Sequence, residues 1–309
     1  MNDNRLAHTA EHAFIGSLQK LLGQTLNVRK VEHKGSGNTA FIVIPQLNLD
    51  TVLRAETEVN SLIAKGRRVT TSIFSSLEEA KQQIPNLRAN EQRIASADKV
   101  KVIEIESHDV AACAVEHATN LKECDFFLVT RLSKHGGEYE VDFLVDRQAK
   151  EAAIALSAKL LRVCNELRAN INTVENTARK LRSESEITTR RLKALTREKL
   201  AGIVPVTRRN ITLLKGVFEN LSDDELQEFA GEKIINSNTI VLLVNVADDT
   251  ATIVFACNET MEQFDLNKIF KQFVENDGRG GGKPHFVTGI MKKQVVDRVL
   301  NSVTRQILE

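Results

Sequence analysis

Two short segments far apart in the chain, His8-Thr9-Ala10-Glu11-His12 and Cys113-Ala114-Val115-Glu116-His117, constrain this sequence more than any other feature. Each sets two metal-binding side chains four residues apart, which on a helix places them on one face, about 5–6 Å apart at Cβ. Jointly they offer three imidazoles and one thiol, the borderline-soft N and S donor set that tetrahedral Zn²⁺ prefers over the oxygen-rich sites of Mg²⁺ or Ca²⁺. Either half alone is a common pairing on ordinary helices and carries little weight. Both together point to one zinc centre with His8, His12, Cys113 and His117 as ligands.

The first segment opens an amphipathic stretch in which Phe14, Ile15, Leu18, Leu21 and Leu22 recur with helical spacing, so a helix is predicted over His8–Leu22. The second follows two apolar runs, Val102–Ile105 and Val110–Cys113, that read as strands. A helix presenting two ligands to the end of a strand presenting two more is the expected geometry. Composition agrees with a globular fold, 42% of residues being hydrophobic and 27% charged. A net charge of only +1 argues against indiscriminate coating of nucleic acid. No apolar run approaches ~18 residues, so no membrane-spanning helix is expected. Met1-Asn2-Asp3-Asn4 lacks the basic and apolar regions of a signal peptide, and a cytoplasmic location is the expectation. The scattered cysteines then stay reduced, Cys124, Cys164 and Cys257 reading as small buried hydrophobes.

Three regions differ in rhythm. Residues 1–147 mix helices (His8–Leu22, Leu49–Lys65, Ser76–Gln83) with strands (Thr25–His33, Ala40–Ile44, Arg68–Phe74 and the pair before Cys113). After Ile84-Pro85 an irregular polar region is expected up to Asp98, and the region closes with a hairpin, Phe126–Leu132 and Tyr139–Val145. This is an α+β domain. From Gln148 to Leu200 there is neither Gly nor Pro, and Leu160, Cys164, Leu167, Ile171, Val174, Ala178, Leu181, Ser185, Thr188, Leu192 and Leu195 follow the alternating spacing of a coiled-coil seam. Residues 148–202 are therefore a long helical spacer, in which Ser185 and Thr188 mark an irregularity or the bend of a helical hairpin. Between Arg179 and Lys199 stand eight Lys/Arg against three Glu. Arg190, Arg191 and Lys193 are candidate phosphate contacts there, a plain solvated face being the alternative.

Residues 203–309 alternate strands (Ile211–Phe218, Thr239–Val246, Ala251–Ala256) with helices, one opened by a capping box at Ser222–Glu225 and others over Leu266–Asn276 and Met291–Ile307, an α/β pattern. The glycine loop Gly278–Pro284 is not a Walker loop, because Asp277 stands where its first Gly belongs and Pro284 where its Ser or Thr belongs. Its glycines let backbone amides approach an anion, with Gly281, Gly282 and Lys283 as candidate contacts; a loop requiring positive φ is the other reading.

The two ligand segments, with Lys34-Gly35-Ser36 between them, resemble the editing domain of alanyl-tRNA synthetase and of the free-standing alanyl-tRNA editing proteins of the AlaX family. Synthetases usually carry Cys-Gly-Gly-Thr-His at the second segment; this chain has Ala114, Val115 and Glu116 there, and the Glu before the His is tolerated in the small free-standing enzymes, toward which the departure points. Gly280-Gly281-Gly282-Lys283-Pro284 is similar to the signature of the DHHA1 domain, which follows editing domains in synthetases and long AlaX proteins. The Asp-His-His tripeptide of the phosphoesterases that share this domain does not occur, so phosphodiester cleavage is not expected. A class II synthetase core is not matched either, which leaves hydrolysis of an ester made by another enzyme and not aminoacylation.

The resemblance implies a zinc-dependent editing domain at 1–147, a helical spacer at 148–202 and a DHHA1-like tRNA-binding or oligomerisation domain at 203–309. Its implied activity is trans-editing, the removal of serine or glycine from mischarged alanine tRNA. Zn²⁺ is the implied cofactor and mischarged tRNA the implied partner, with a homodimer formed through the spacer or the C-terminal domain. Lys34, Gly35 and Ser36 border the substrate pocket in this reading. Thr9 and Glu116, each beside a ligand in sequence, are the candidate catalytic residues for orienting water or substrate. The competing reading is a non-catalytic tRNA-binding or oligomeric module with a structural zinc.

Overall fold

The computed structural model describes residues 4–34, 37–89, 99–274 and 276–308, so most of the polar stretch expected up to Asp98 lies outside it. The chain separates into two units, Met1–Ile171 and Asn172–Glu309, dividing within the expected spacer. No described helix is long and apolar enough to cross a membrane.

The first unit contains α1 (Asn4–Leu22), β1 (Asn27–Lys34), β2 (Gly37–Val43), α2 (Leu49–Lys65), β3 (Val69–Phe74), α3 (Leu77–Gln83), β4 (Val100–Ile105), β5 (Asp109–Ala112), β6 (Phe127–His135), β7 (Glu138–Val145) and α4 (Asp146–Glu166). Strands β1-β2-β7-β6 form one antiparallel sheet and β3-β4-β5 a smaller one. Along β7 every second residue, Tyr139, Val141, Phe143 and Val145, is buried, as a strand with one face on the core requires. Helix α1 lays Phe14, Ile15 and Leu18 into the same core. The Phe14–Phe127 and Phe127–Phe143 rings meet at 5.2 and 5.1 Å, tilted pairs that add about 0.5–1.5 kcal/mol each beyond their burial.

Helix α2 starts where Asn48 accepts a hydrogen bond from the Thr51 amide and stops at Gly66, whose φ of 63° is the left-handed ending that glycine allows. It also covers the edge of β6. The Asn60 side chain accepts from the Phe127 amide at 3.0 Å and donates to its carbonyl at 2.8 Å, while Glu56 accepts from the Val129 amide at 2.8 Å. Backbone groups that would otherwise invite a foreign strand are thereby satisfied.

The second unit contains α5 (Val174–Ala201), β8 (Val206–Arg208), β9 (Ile211–Glu219), α6 (Asp223–Lys233), β10 (Thr239–Ala247), β11 (Thr250–Cys257), α7 (Leu266–Val274), β12 (Gly278–Lys283), β13 (Phe286–Lys292) and α8 (Val296–Leu308). Its sheet runs β12-β13-β11-β10-β9-β8, with β9 and β10 parallel and the other neighbours antiparallel. Strand β10 is buried on both faces: Ile240, Leu242 and Val244 pack with α7 and α8, and Val241 and Leu243 with Leu226, Ala230 and Leu200. That is why its sequence reads as one unbroken apolar run.

Four expectations are corrected. The spacer is two helices, broken at Leu167–Thr173 and not at Ser185 or Thr188, which lie exposed inside α5. A helix carries such residues on a solvated face at small cost, whereas Arg168, at φ 49°, turns the chain out of α4. Ser222 makes no side-chain cap to α6; Asp223 instead accepts from Asn245 at 2.7 Å and Thr252 at 2.9 Å. The last helix begins at Val296, because Phe286–Lys292 is strand β13. The glycine segment is the edge strand β12, not a loop.

Its glycines answer to close backbone approach. A Cβ on Gly282 would stand 2.1 Å from the Phe286 carbonyl oxygen, and one on Gly280 2.4 Å from Gly289 Cα, whereas one on Gly281 would meet only Asn267 Oδ1 at 3.4 Å. Gly282→Ala is therefore expected to destabilise the unit by about 1–3 kcal/mol, the usual cost of overpacking, and Gly281→Ala by much less. Urea unfolding of the two variants checks this, and equal midpoints would contradict it.

Candidate metal centre

Helix α1 carries His8, Glu11 and His12 at positions i, i+3 and i+4, hence on one face. The β3-β4-β5 sheet supplies the rest: Asp109 opens β5, and after Ala112 the chain leaves the strand. Residues Cys113–His117 are irregular, so helix spacing is not what sets Cys113 beside His117. The segment is fastened at both ends instead, the Cys113 amide donating to the Lys101 carbonyl at 3.0 Å and the Ala118 amide to Thr9 Oγ1 at 2.9 Å. Thr9 in turn donates to the Arg5 carbonyl at 2.8 Å and is fully buried. Its hydroxyl thus accepts and donates within the protein, and Thr9, a candidate for orienting water, moors the loop to α1.

One donor atom each from His12, Cys113 and His117 falls within 4.8 Å of the others. His12 Nδ1 lies 3.3 Å from Asp109 Oδ2, and that oxygen accepts from Arg88 Nη2 at 2.8 Å. Arg88 Nη2 also lies 3.0 Å from His12 Nδ1, so that nitrogen faces both a carboxylate acceptor and a guanidinium donor. When Nδ1 donates its hydrogen bond to the carboxylate, Nε2 of the neutral ring keeps its lone pair, the carboxylate–histidine arrangement that supports metal ligands. His117 repeats the pattern, with Nδ1 against the Val115 carbonyl at 2.9 Å and Nε2 buried without a hydrogen-bond partner. Leaving such an acceptor unsatisfied costs about 1–3 kcal/mol. Two imidazole lone pairs and a thiol in one place fit Zn²⁺.

Before any metal binds, the same groups favour an imidazolium beside a thiolate, so a metal must displace the His12 proton to reach Nε2. Burial pulls the His12 imidazolium toward its neutral form, but Glu11, Asp109 and Cys113 outweigh it and hold the group at about 9. Burial pushes the Cys113 thiol up, yet the facing His117 and His12 bring it down to about 6. Burial also pushes Asp109 up, and Arg88 and His12 hold it well below the usual carboxylate range. Cys113 is therefore biased toward the thiolate, the form that binds metal.

His8 stands beside this group and outside it, its ring centroid 6.1 Å from that of His117 and 3.9 Å from that of His33. A cavity of about 220 Å³ opens on the centre, lined by His8, Glu11, His12, Lys30, Arg88 and Cys113 among others. Glu11, His33, Arg88 and Asp109 were not found from sequence; only Glu11, by its helical spacing from His8 and His12, carried a local signal. Glu116, the other candidate for orienting water, is exposed and is not among the described residues lining the cavity. Lys34 ends β1, and Gly35 and Ser36 lie outside the described residues. In the second unit Arg190 and Arg191 are exposed on α5, while Lys193 lies 3.4 Å from the buried carboxylate of Glu225 and so serves the fold. Gly281, Gly282 and Lys283 belong to β12.

Residues 210–309 match the DHHA1 domain. The chain is similar, at 26% identity over 310 residues, to the alanyl-tRNA editing protein AlaX-L of Pyrococcus horikoshii, covering 93% of this chain and 70% of that one. It is 31% identical over 166 residues to the alanine–tRNA ligase of Aster yellows witches'-broom phytoplasma, 52% of this chain but only 18% of the ligase. Against the ligases of the two phytoplasmas it matches, it spans about a fifth of their length, 18% in each case. Among solved structures the C-Ala domain of Aquifex aeolicus alanyl-tRNA synthetase aligns with a TM-score of 0.31 at 18% identity, covering 34% of this chain and 98% of that domain. The resemblance to alanyl-tRNA editing proteins thus extends over nearly the whole chain, with a DHHA1 domain as its C-terminal part.

Proposed function

We propose that the chain is a trans-editing deacylase that hydrolyses misacylated tRNA, removing serine or glycine from the tRNA for alanine. The observation that carries the reading is the convergence of His12, Cys113 and His117 on one point beside the cavity. These three, with His8 adjacent, would hold Zn²⁺, which would supply Lewis acidity toward an ester carbonyl or water. Asp109, itself held by Arg88, is placed to accept the His12 Nδ1 proton and so to favour Nε2 as the metal-facing nitrogen, and the Thr9 hydroxyl keeps the Cys113–His117 loop on α1. An aminoacyl ester is already activated, so placing it and stabilising developing negative charge are the main demands.

Val28, Lys30 and Val31 of β1 line the cavity, and the strand ends at Lys34, next in sequence to Gly35 and Ser36, which supports the substrate-binding role assigned to those three residues. The exposed Arg190 and Arg191 and the DHHA1 domain are the proposed tRNA contacts, made to the backbone and not to bases. The deciding assay charges alanine tRNA with serine, glycine or alanine and follows release with and without a chelator. Serine or glycine release that stops on chelation and returns with Zn²⁺ is expected. Release indifferent to chelation removes the metal from the mechanism, and no release at all leaves a tRNA-binding module with a structural zinc.

A further inference from the structure

Among the described residues lining the cavity Glu11 is the only carboxylate, and it is buried, with 5% of its surface exposed. Its nearest ion-pair partner among the described residues, His8 Nδ1, is 3.9 Å away, beyond hydrogen-bonding distance. The lining cations make their short contacts elsewhere, Arg88 to Asp109 at 2.8 Å and Lys30 to Glu32, and Glu11 acts on Arg88 and His12 through space, with no hydrogen bond to either among the described residues. A buried carboxylate without a close hydrogen-bonded cation is costly to keep unless a ligand completes it. The position is also specific: on α1, Glu11 shares its helix face with His8 and His12.

The substrate proposed above carries its own cation. In an aminoacyl ester the ammonium sits on the carbon next to the carbonyl, so a carboxylate adjoining the point where the carbonyl is held is where that ammonium falls. Resting on the deacylase reading, we infer that Glu11 binds the α-ammonium of the aminoacyl group, so that the protein selects esters whose amino group is free. Peptidyl and other N-blocked esters are thereby excluded, since an amide in that place brings no charge to pair with the buried carboxylate and adds bulk.

The experiment compares seryl-tRNA with N-acetylseryl-tRNA in the full chain, as wild type, Glu11→Gln and Glu11→Asp, each checked for zinc content and melting temperature. A buried charge-assisted hydrogen bond corresponds to about a tenfold to hundredfold preference in kcat/KM for the free-amine ester. The wild type is expected to show that preference, Glu11→Gln to collapse it chiefly through a raised KM for seryl-tRNA, and Glu11→Asp to recover part of it. Wild-type protein that cleaves both esters equally overturns the inference and leaves the deacylase reading standing. Protein that cleaves neither overturns that reading, and this one with it. Should Glu11→Gln fail to fold, the wild-type comparison and the Asp variant still decide.

Discussion

Cys113→Ala is expected to release the metal and lower deacylation of Ser-tRNA by more than about 100-fold, since loss even of a residue that merely supports a ligand commonly costs 10–100-fold. Cys113 is the only sulfur in the converging group, and the two flanking imidazoles are arranged to keep it a thiolate. Removing it leaves His12 and His117 as the remaining converging donors, an incomplete set for tetrahedral Zn²⁺. Metal content by mass spectrometry and single-turnover release of serine, measured on the same preparation, check the two halves. Serine release that survives in metal-free Cys113→Ala protein would remove zinc from the mechanism.

Asp109→Ala is expected to be the most damaging change to stability. The carboxylate is 3% exposed as a side chain, lies 2.8 Å from Arg88 and 3.3 Å from His12, and joins β5 to α1. Deleting one partner of a buried pair strands the other and costs about 3–5 kcal/mol. For a unit this size that is a fall in melting temperature of about 6–20 °C. Calorimetry of the single variant beside Arg88→Met/Asp109→Leu gives a sharper test, because replacing both charges by apolar groups removes the stranded charge. A double variant no more stable than the single one would show that the buried charge is not what matters.

How much of this was legible beforehand differs element by element. The α1 stripe of Phe14, Ile15 and Leu18, the span of α2, and the run Thr239–Val246 could be read because the signal lies within a few residues: apolar side chains recurring at the period of the element that buries them. The edge strand β12 could not. Its glycines look like a loop or an anion cradle until the partner strand is present, when the approaches of 2.4 Å at Gly280 and 2.1 Å at Gly282 show that backbone proximity requires glycine at those two positions. The break between α4 and α5 was misplaced for a related reason: seam composition flagged Ser185 and Thr188, but a left-handed turn at Arg168 leaves no mark in apolar periodicity.

The site divides along the same line. That three imidazoles and a thiol are available as metal donors was set by residue type alone, because His8, His12, Cys113 and His117 carry them whatever the fold. Which of them meet was settled by long-range pairing. The register of β4 on β5 and the mooring of Ala118 to Thr9 bring Cys113 and His117 onto His12, while His8 stays beside His33. Tertiary structure also turned neighbours into different kinds of residue, making Thr9 a strut, exposing Glu116, and burying Glu11, Arg88 and Asp109 against the centre. Sequence specifies donors and local periods because these are properties of a few adjacent residues. Convergence and burial are properties of contacts between segments dozens of positions apart, which only the packed chain possesses.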